Sequence, residues 1–390
     1  VPAVVADCLA LWFAFLIARR NAMSAAYCAM IVLGFSHVLI LFGTEARGYG
    51  YLACTTFAAW WSLDAFLDRP QLRYACAFGL AASLGFLSHL TFLFAYAALG
   101  EYSALKLLPR RGGWSRLFIL HLVPVLTGGF LFVAYYLNWA VGGGTQSPLF
   151  ETLVESLSLM AGGPERGRAA EFSAVVMAAL MSIALAAEFR NNRARGVMYL
   201  IVIIIAPGAA LAATGHAFIY PRYFLVPMIF GYIAIACLLA RWLQVGRVGR
   251  IAVALLLTGY VVCNLMPVVK LISEGRARYS QALRWVAERT TGPLIAVAGD
   301  HPFRNWLLTN FYADRDTQAY SNSGKTLVYV DLSQYPEQGT EWILRHTFSG
   351  DAAPPDILLD PRGNRFELVQ VFRPGSISGF TWWLYRRTHD

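Results

Sequence analysis

The sequence predicts a mostly α, polytopic membrane protein. A helical bundle of about ten spans over residues 1–270 is followed by a C-terminal α/β domain, residues 271–390, on the non-cytoplasmic side. Three observations predict it. First, 57% of the residues are hydrophobic and only 14% are charged, where soluble domains carry about a quarter; mean hydropathy is +0.50. Second, the apolar residues gather in runs of about 16–21 almost without charge, close to the roughly 20 that cross a bilayer as a helix. Ile201–Ala213 and Phe224–Ala240 lack the polar stripe of a soluble surface helix. Third, the basic residues alternate between rich and poor loops along the chain.

The predicted spans run in order: Val1–Ala18, Ala22–Phe42, Gly48–Leu67, Tyr74–Ser88, Leu90–Leu107, Leu117–Leu137, Phe172–Glu188, Val197–Thr214, Tyr223–Ala240 and Ile251–Val269. The fourth and fifth are short and are expected either to form a tight hairpin around His89 or to lean partly buried in the bundle. One set of loops holds Arg19 and Arg20; Arg69 and Arg73; Lys106, Arg110, Arg111 and Arg116; Arg190, Arg193 and Arg195; and Arg241, Arg247 and Arg250. The other holds only Arg47; Arg166 and Arg168; and Arg222. The richer set faces the cytoplasm. The net charge of +9 is thus a matter of topology, and no nucleic-acid partner is expected. The protein is expected in the plasma (inner) membrane, multi-pass, with the lipid bilayer as a partner. All six cysteines, Cys8, Cys28, Cys54, Cys76, Cys237 and Cys263, fall inside predicted spans without a CxxC and read as small packing residues.

After Lys270 the pattern changes. Tyr279–Arg289 reads as an amphipathic helix, Leu294–Ala298 as a strand, Pro302–Tyr312 as a helix, Thr326–Leu332 as a strand and Thr340–His346 as a helix. Asp356–Leu359, Phe366–Phe372 and Phe380–Arg386 read as strands.

Two clusters on the charge-poor side are candidate binding residues. In GTEARGYG, Gly43–Gly50, Glu45 and Arg47 stand at the membrane boundary beside Tyr49 and Tyr51. A guanidinium there suits bidentate recognition of a phosphate, with Glu45 to pin it or to meet a sugar hydroxyl; the bland alternative is a snorkelling arginine. In HAFIYPRYF, His216–Phe224, Arg222 lies between Tyr220 and Tyr223. His89 is a candidate for the same site, alongside a capping role. His37 is read as bonded to a neighbouring helix, and Asp64 as a cap or a partner of Arg69. Phe150–Met160, with Glu155, reads as a segment lying on the membrane near Glu165, Arg166 and Arg168, and Asp300 and His301 as a turn after a strand. There is no P-loop, HExxH, GxSxG or dinucleotide fingerprint.

The segment SHVLILFGTEARGYGYLACTTFAAWWSLDAFL, Ser36–Leu67, resembles the outer-loop signature E-A-R-x-Y of GT-C fold membrane glycosyltransferases, in the protein-mannosyltransferase-like and aminoarabinose-transferase-like family. IYPRYFLVPMIF, Ile219–Phe230, is similar to that family's R-Y-x-x-P element, and YSQALRWVA to the start of its outer domain. The resemblance implies transfer of a sugar from a polyprenyl-phosphate donor to an acceptor (lipid, glycan or protein) at the outer leaflet. Arg47 would neutralise the leaving phosphate, Glu45 and Tyr49 would shape the donor pocket, and Arg222 and Tyr223 would contribute from facing helices. No cofactor is required by the sequence, and a divalent metal is left open. In that family the catalytic base is an acidic residue of the first outer loop. This chain opens at Val1-Pro2 already apolar, so the expectation is that either the base precedes Val1 or this chain is not active; Asp7 is not assigned that role and no catalytic residue is named. Two other classes compete: a transporter or flippase of a lipid-linked or anionic solute, and a non-catalytic membrane protein whose outer domain binds a partner.

Overall fold

The computed structural model describes residues 2–45, 48–135, 137, 148–214, 220–274, 278–300, 302–315, 325–331, 340–347, 352–373 and 380–388. The chain divides into two compact units, Val1–Val268 and Val269–Asp390.

In the first unit every predicted apolar run is helical: α1 (Pro2–Arg19), α2 (Met23–Gly34), α3 (His37–Gly43), α4 (Tyr49–Asp68), α5 (Leu72–Ser88), α6 (Phe92–Leu107) and α7 (Gly113–Ala134) come first. Then come α8 (Leu149–Ala161), α9 (Arg168–Asn191), α10 (Arg193–Leu200), α11 (Ala206–Thr214), α12 (Leu225–Trp242) and α13 (Arg247–Glu274). A π-helical turn, Ile201–Ile205, joins α10 to α11, and a 3-10 turn, Pro221–Phe224, leads into α12. Among the described residues, six helices are long and apolar enough to cross a membrane, or seven if the bent pair α2–α3 is one span. That is fewer than the ten expected: α5 and α6 are short, and α4, though 20 residues long, is not apolar enough.

The helix through Pro221–Trp242 forms the centre, 94% of its apolar window being buried, against 17% for α7 and 11% for α13. Trp60 of α4 stacks on Phe230 of α12 at 4.8 Å and meets Tyr199 edge-on at 5.8 Å. With no hydrophobic drive between helices in lipid, such close packing holds a bundle together. Phe118, Leu126 and Phe130 of α7 are left outward, the surface hydrocarbon chains would cover.

The run Ala22–Phe42, expected as one span, is instead bent by 62° between α2 and α3. A helix broken in an apolar medium must find partners for its freed backbone groups. Ser36 caps α3 by accepting from the Leu39 amide at 3.4 Å. Asn264 Oδ1 of α13 accepts from the His37 amide at 2.9 Å, and the Tyr260 hydroxyl donates to the Val32 carbonyl at 2.6 Å. The Ser36 and Tyr232 hydroxyls pair at 2.9 Å, and that of Tyr232 also meets the Met160 carbonyl at 3.0 Å.

The second unit holds α14 (Tyr279–Arg289), α15 (Pro302–Arg315) and one sheet of β1 (Leu294–Gly299), β2 (Thr326–Tyr329), β3 (Trp342–Thr347), β4 (Ile357–Leu359), β5 (Arg365–Phe372) and β6 (Thr381–Arg387). Strand order is β2-β1-β3-β6-β5-β4. β1 pairs in parallel with β2 and β3, and the other pairings are antiparallel. Thr340–His346, expected to be helical, is corrected to strand β3. It lies inside the sheet with both faces covered: Trp342 and Leu344 join the core with α14, while Ile343 joins Phe366 and Tyr385 on the other side. A strand buried on both faces shows no alternation, so a short apolar run loses the period that would identify it.

Candidate functional site

Tyr49 of Gly43–Gly50 and His89 meet at one end of the first unit, with Arg222 of the Tyr220–Tyr223 turn near enough for its charge to act on the imidazole. Tyr49 opens α4, its ring buried. It lies 5.0 Å from the His89 ring and 5.6 Å from that of Phe42. Gly48 makes this approach fit. Its φ is +78°, and a Cβ there would stand 2.8 Å from the Ser88 carbonyl oxygen. Only glycine meets both demands without strain. The start of α4 therefore lies directly on the end of α5, next to His89. Arg47, the main expectation from sequence, lies outside the described residues. Glu45 is described and half-buried.

His89 Nδ1 accepts from the Thr91 amide at 3.2 Å and lies 2.9 Å from the Thr91 hydroxyl. An amide can only donate, so the ring proton sits on Nε2. Burial, helped by the charge of Arg222, pushes the His89 imidazole down to about 4. It is thus a neutral donor near pH 7. Its capping contact and its place beside Tyr49 coexist.

Arg222 lies over the Tyr220 ring at 4.6 Å and the Tyr223 ring at 5.5 Å. The two rings meet edge to face at 5.9 Å. Pro221 starts the 3-10 turn that presents all three. α8 packs against this turn and against α3. α8 turns Thr152, Ser156 and Ser158 inward and leaves Phe150 outward, as a helix facing lipid on one side would. Within it, burial and the nearby Glu165 charge raise Glu155 to about 7.

Asp7 was passed over in the sequence and belongs to the same end. A Cβ on Gly43 or on Gly50 would stand 2.6 Å from an Asp7 carboxylate oxygen. The carboxylate is thus pressed against bare backbone on both sides of the Glu45 turn. Asp7 has no hydrogen-bond or ion-pair partner among the described residues. Its signal was available: an acid within a span is a functional candidate by default.

Elsewhere the weaker candidates settle into structural roles. The His37 amide is bound by Asn264. Asp64 is buried with Arg195 and Arg20, not Arg69, as its charged neighbours. Asp300 joins the ends of β1 and β3, accepting from the His346 amide at 3.0 Å and meeting its ring at 2.8 Å. Burial alone would raise the Asp300 carboxyl, but these bonds outweigh it and hold it below the ordinary value. His301 lies outside the described residues. Among the described residues, no group of three or more His, Cys, Asp or Glu could hold a metal ion.

The arrangement offers a guanidinium fixed by two aromatic faces, a neutral imidazole donor and a carboxylate without a hydrogen-bond or ion-pair partner among the described residues. Such a set can hold an anion and accept a proton. No protein-family model matches the chain, and no curated protein matches it.

Proposed function

We propose that the protein transfers a sugar from a polyprenyl-phosphate donor to an acceptor hydroxyl at the outer face of a plasma membrane. What supports the reading is the gathering of Tyr49, His89 and Arg222 at the end of the bundle opposite the one where most cations collect. A cation that the topology rule disfavours there is explained by a ligand with negative charge. In this reading Arg222 and Arg47 take up the charge that builds on the leaving phosphate. That charge is larger in the transition state than in the ground state, so the interaction accelerates the step. His89 Nε2–H donates to a phosphate or sugar oxygen, and Tyr49, Tyr220 and Tyr223 wall the pocket. Asp7 or Glu45 accepts the proton of the acceptor hydroxyl. In this reading the loops rich in Lys and Arg face the cytoplasm and residues 271–390 lie on the non-cytoplasmic side.

Transfer from radiolabelled polyprenyl-phosphate sugar in membranes tests this. Arg222→Ala and Arg47→Ala should each lower transfer about 10²-fold, and Asp7→Asn should lower it without weakening donor retention. Transfer undiminished by both arginine variants would remove the phosphate role.

The bent pair α2–α3 and the π-helical turn in the α10–α11 helix favour a second reading. Discontinuous helices frame the substrate site of many transporters, and translocation of a lipid-linked anion would use the same Arg222 end. Flipping of a fluorescent polyprenyl-phosphate analogue in proteoliposomes, with no sugar transfer, would select it.

A further inference from the structure

We infer that the cation-rich end of the helical unit carries a second binding site, for a phosphate ester that also bears a hydroxyl or amino group. The inference does not depend on the transferase reading.

At that end the C-termini of α1, α4 and α6 converge on the N-terminus of α10. They enclose a cavity of about 640 Å³, within the usual size of small-molecule sites. Five cations line it: Arg19, Arg20, Lys106, Arg110 and Arg195, against the two carboxylates Asp64 and Asp68. Arg20 is taken by Asp68 at 2.6 Å, and one Arg110 nitrogen donates to the Leu67 carbonyl at 3.0 Å. Arg19 and Lys106 keep their charge for an occupant, Lys106 lying 5.9 Å over the Tyr102 ring.

Loop charge that only sets topology sits in water or among headgroups. That accounts for Arg19 and Arg110, which are exposed. It does not account for Arg195, which is only 9% exposed, or for Asp64 at 3%. Both line the cavity. Tyr102 interacts with each of them, and an Arg195 Nη donates to the Asn21 side chain. Arg195 Nε and Asp64 Oδ2 nevertheless have no hydrogen-bond partner among the described residues. A buried charged group with bonding capacity unused is costly, and a ligand in the cavity would use it. The chemistry of the ligand follows. The excess of cations, three of them guanidinium groups (Arg19, Arg110 and Arg195) without an ion pair among the described residues, calls for a compact anion with several acceptor oxygens. The carboxylate in the same wall calls for a donor, so the anion carries a hydroxyl or an amine. A phosphoglycerol unit has both, whether free in solution or as the headgroup of an anionic lipid.

The test uses the full chain in neutral detergent. One arm measures equilibrium dialysis against labelled glycerol 3-phosphate. The other measures retention, by native mass spectrometry, of a phosphatidylglycerol over a phosphatidylcholine of the same chains. Saturable binding in the first assigns a free phosphate ester; selective retention in the second alone assigns the headgroup. Binding in either arm supports the site; absence of binding in both overturns it. The double variant Arg19→Gln/Lys106→Gln alters the rim and should weaken whichever probe binds by about tenfold or more. Arg69→Gln/Arg73→Gln removes two cations at the same end but outside the cavity and should change binding less than twofold. Equal weakening by the two double variants would show general attraction to a basic face and would also overturn the proposal. Should the first double variant unfold, judged by circular dichroism, Lys106→Gln alone carries the same comparison.

Discussion

The two ends of the helical unit solve the placement of charge in opposite ways. At the Tyr49 end, one guanidinium rests on two tyrosine rings and the nearby imidazole is kept neutral. At the opposite end, seven charged side chains line one cavity and two of them are buried. The first arrangement keeps the cation solvated by aromatic faces and open to a partner. The second commits a buried cation and a buried anion to one another through Tyr102. Removing a charge should therefore have very different consequences at the two ends.

The largest effect is expected for Arg195→Met. It removes the stronger of the two cations acting on buried Asp64 and leaves only Arg20, a loss of up to about 3–5 kcal/mol. Arg222→Met removes only stacking on two rings, about 0.5–1 kcal/mol for each. Thermal unfolding in detergent reads the difference as a large fall in midpoint for the first and a small one for the second. The double variant Asp64→Leu/Arg195→Met should recover much of the loss, because no lone charge remains. Equal destabilisation by Arg195→Met and Arg222→Met would erase the contrast.

Next in size is a pair of glycine variants. Gly48 and Gly112 have nearly the same backbone, φ of +78° and +73°, but only Gly48 faces an obstacle, the Ser88 carbonyl. A side chain at either costs about 1–2 kcal/mol for the left-handed conformation. At Gly48 the clash adds to it and separates the α4 start from His89. Gly48→Ala should thus destabilise more than Gly112→Ala and should also reduce any activity of the Arg222 end. Similar stability and similar activity in the two would show that the close approach is of no consequence.

These two ends also differ in how far the sequence disclosed them. Apolar runs closed by arginine, such as Pro2–Arg19 and the run ending at Trp242, announced their helices, because composition and length alone decide that. The amphipathic period of Tyr279–Arg289 gave α14 to the residue. The break before α3 was not foreseen, although Gly34 and Ser36 are a stop and a cap; its stability depends on Asn264 and Tyr260, far along the chain. Tyr49, His89 and Arg222 were each singled out by residue type, and their meeting is a tertiary fact that no local pattern encodes. Asp7 was noted but given no role, because the glycines it faces, Gly43 and Gly50, show their use only when the backbones approach. The buried Asp64 and Arg195 looked like ordinary loop and boundary charges, since burial has no signature in a basic loop.

Acid offers a milder way to probe the Tyr49 end. An imidazole lowered to about 4 in the fold, against about 6.5 unfolded, takes up its proton in the unfolded chain first. Its contribution to stability is therefore intact above about 6.5 and declines as pH falls from about 6.5 to about 4. The midpoint of the wild type should drop over that window more than that of His89→Gln. Parallel curves would mean that His89 is as exposed to water as a free histidine, and the donor role would fall with it.

The smallest effect belongs to the exposed pair at the cavity rim. Arg20 meets Asp68 at 2.6 Å, but the Asp68 side chain is 65% exposed. Ion pairs of this kind are worth about 0–1 kcal/mol, because water screens the attraction and two long side chains lose freedom. Arg20→Gln should leave the unfolding midpoint nearly unchanged, while Arg195→Met, on the same cavity, lowers it sharply. If Arg20→Gln were as damaging, the charges at this end would form one cooperative network, and the distinction between a solvated rim and a buried floor would have to be given up. If it is silent, the floor pair Asp64 and Arg195 is what the fold invests in. An exposed rim that adds no stability is then free to serve recognition.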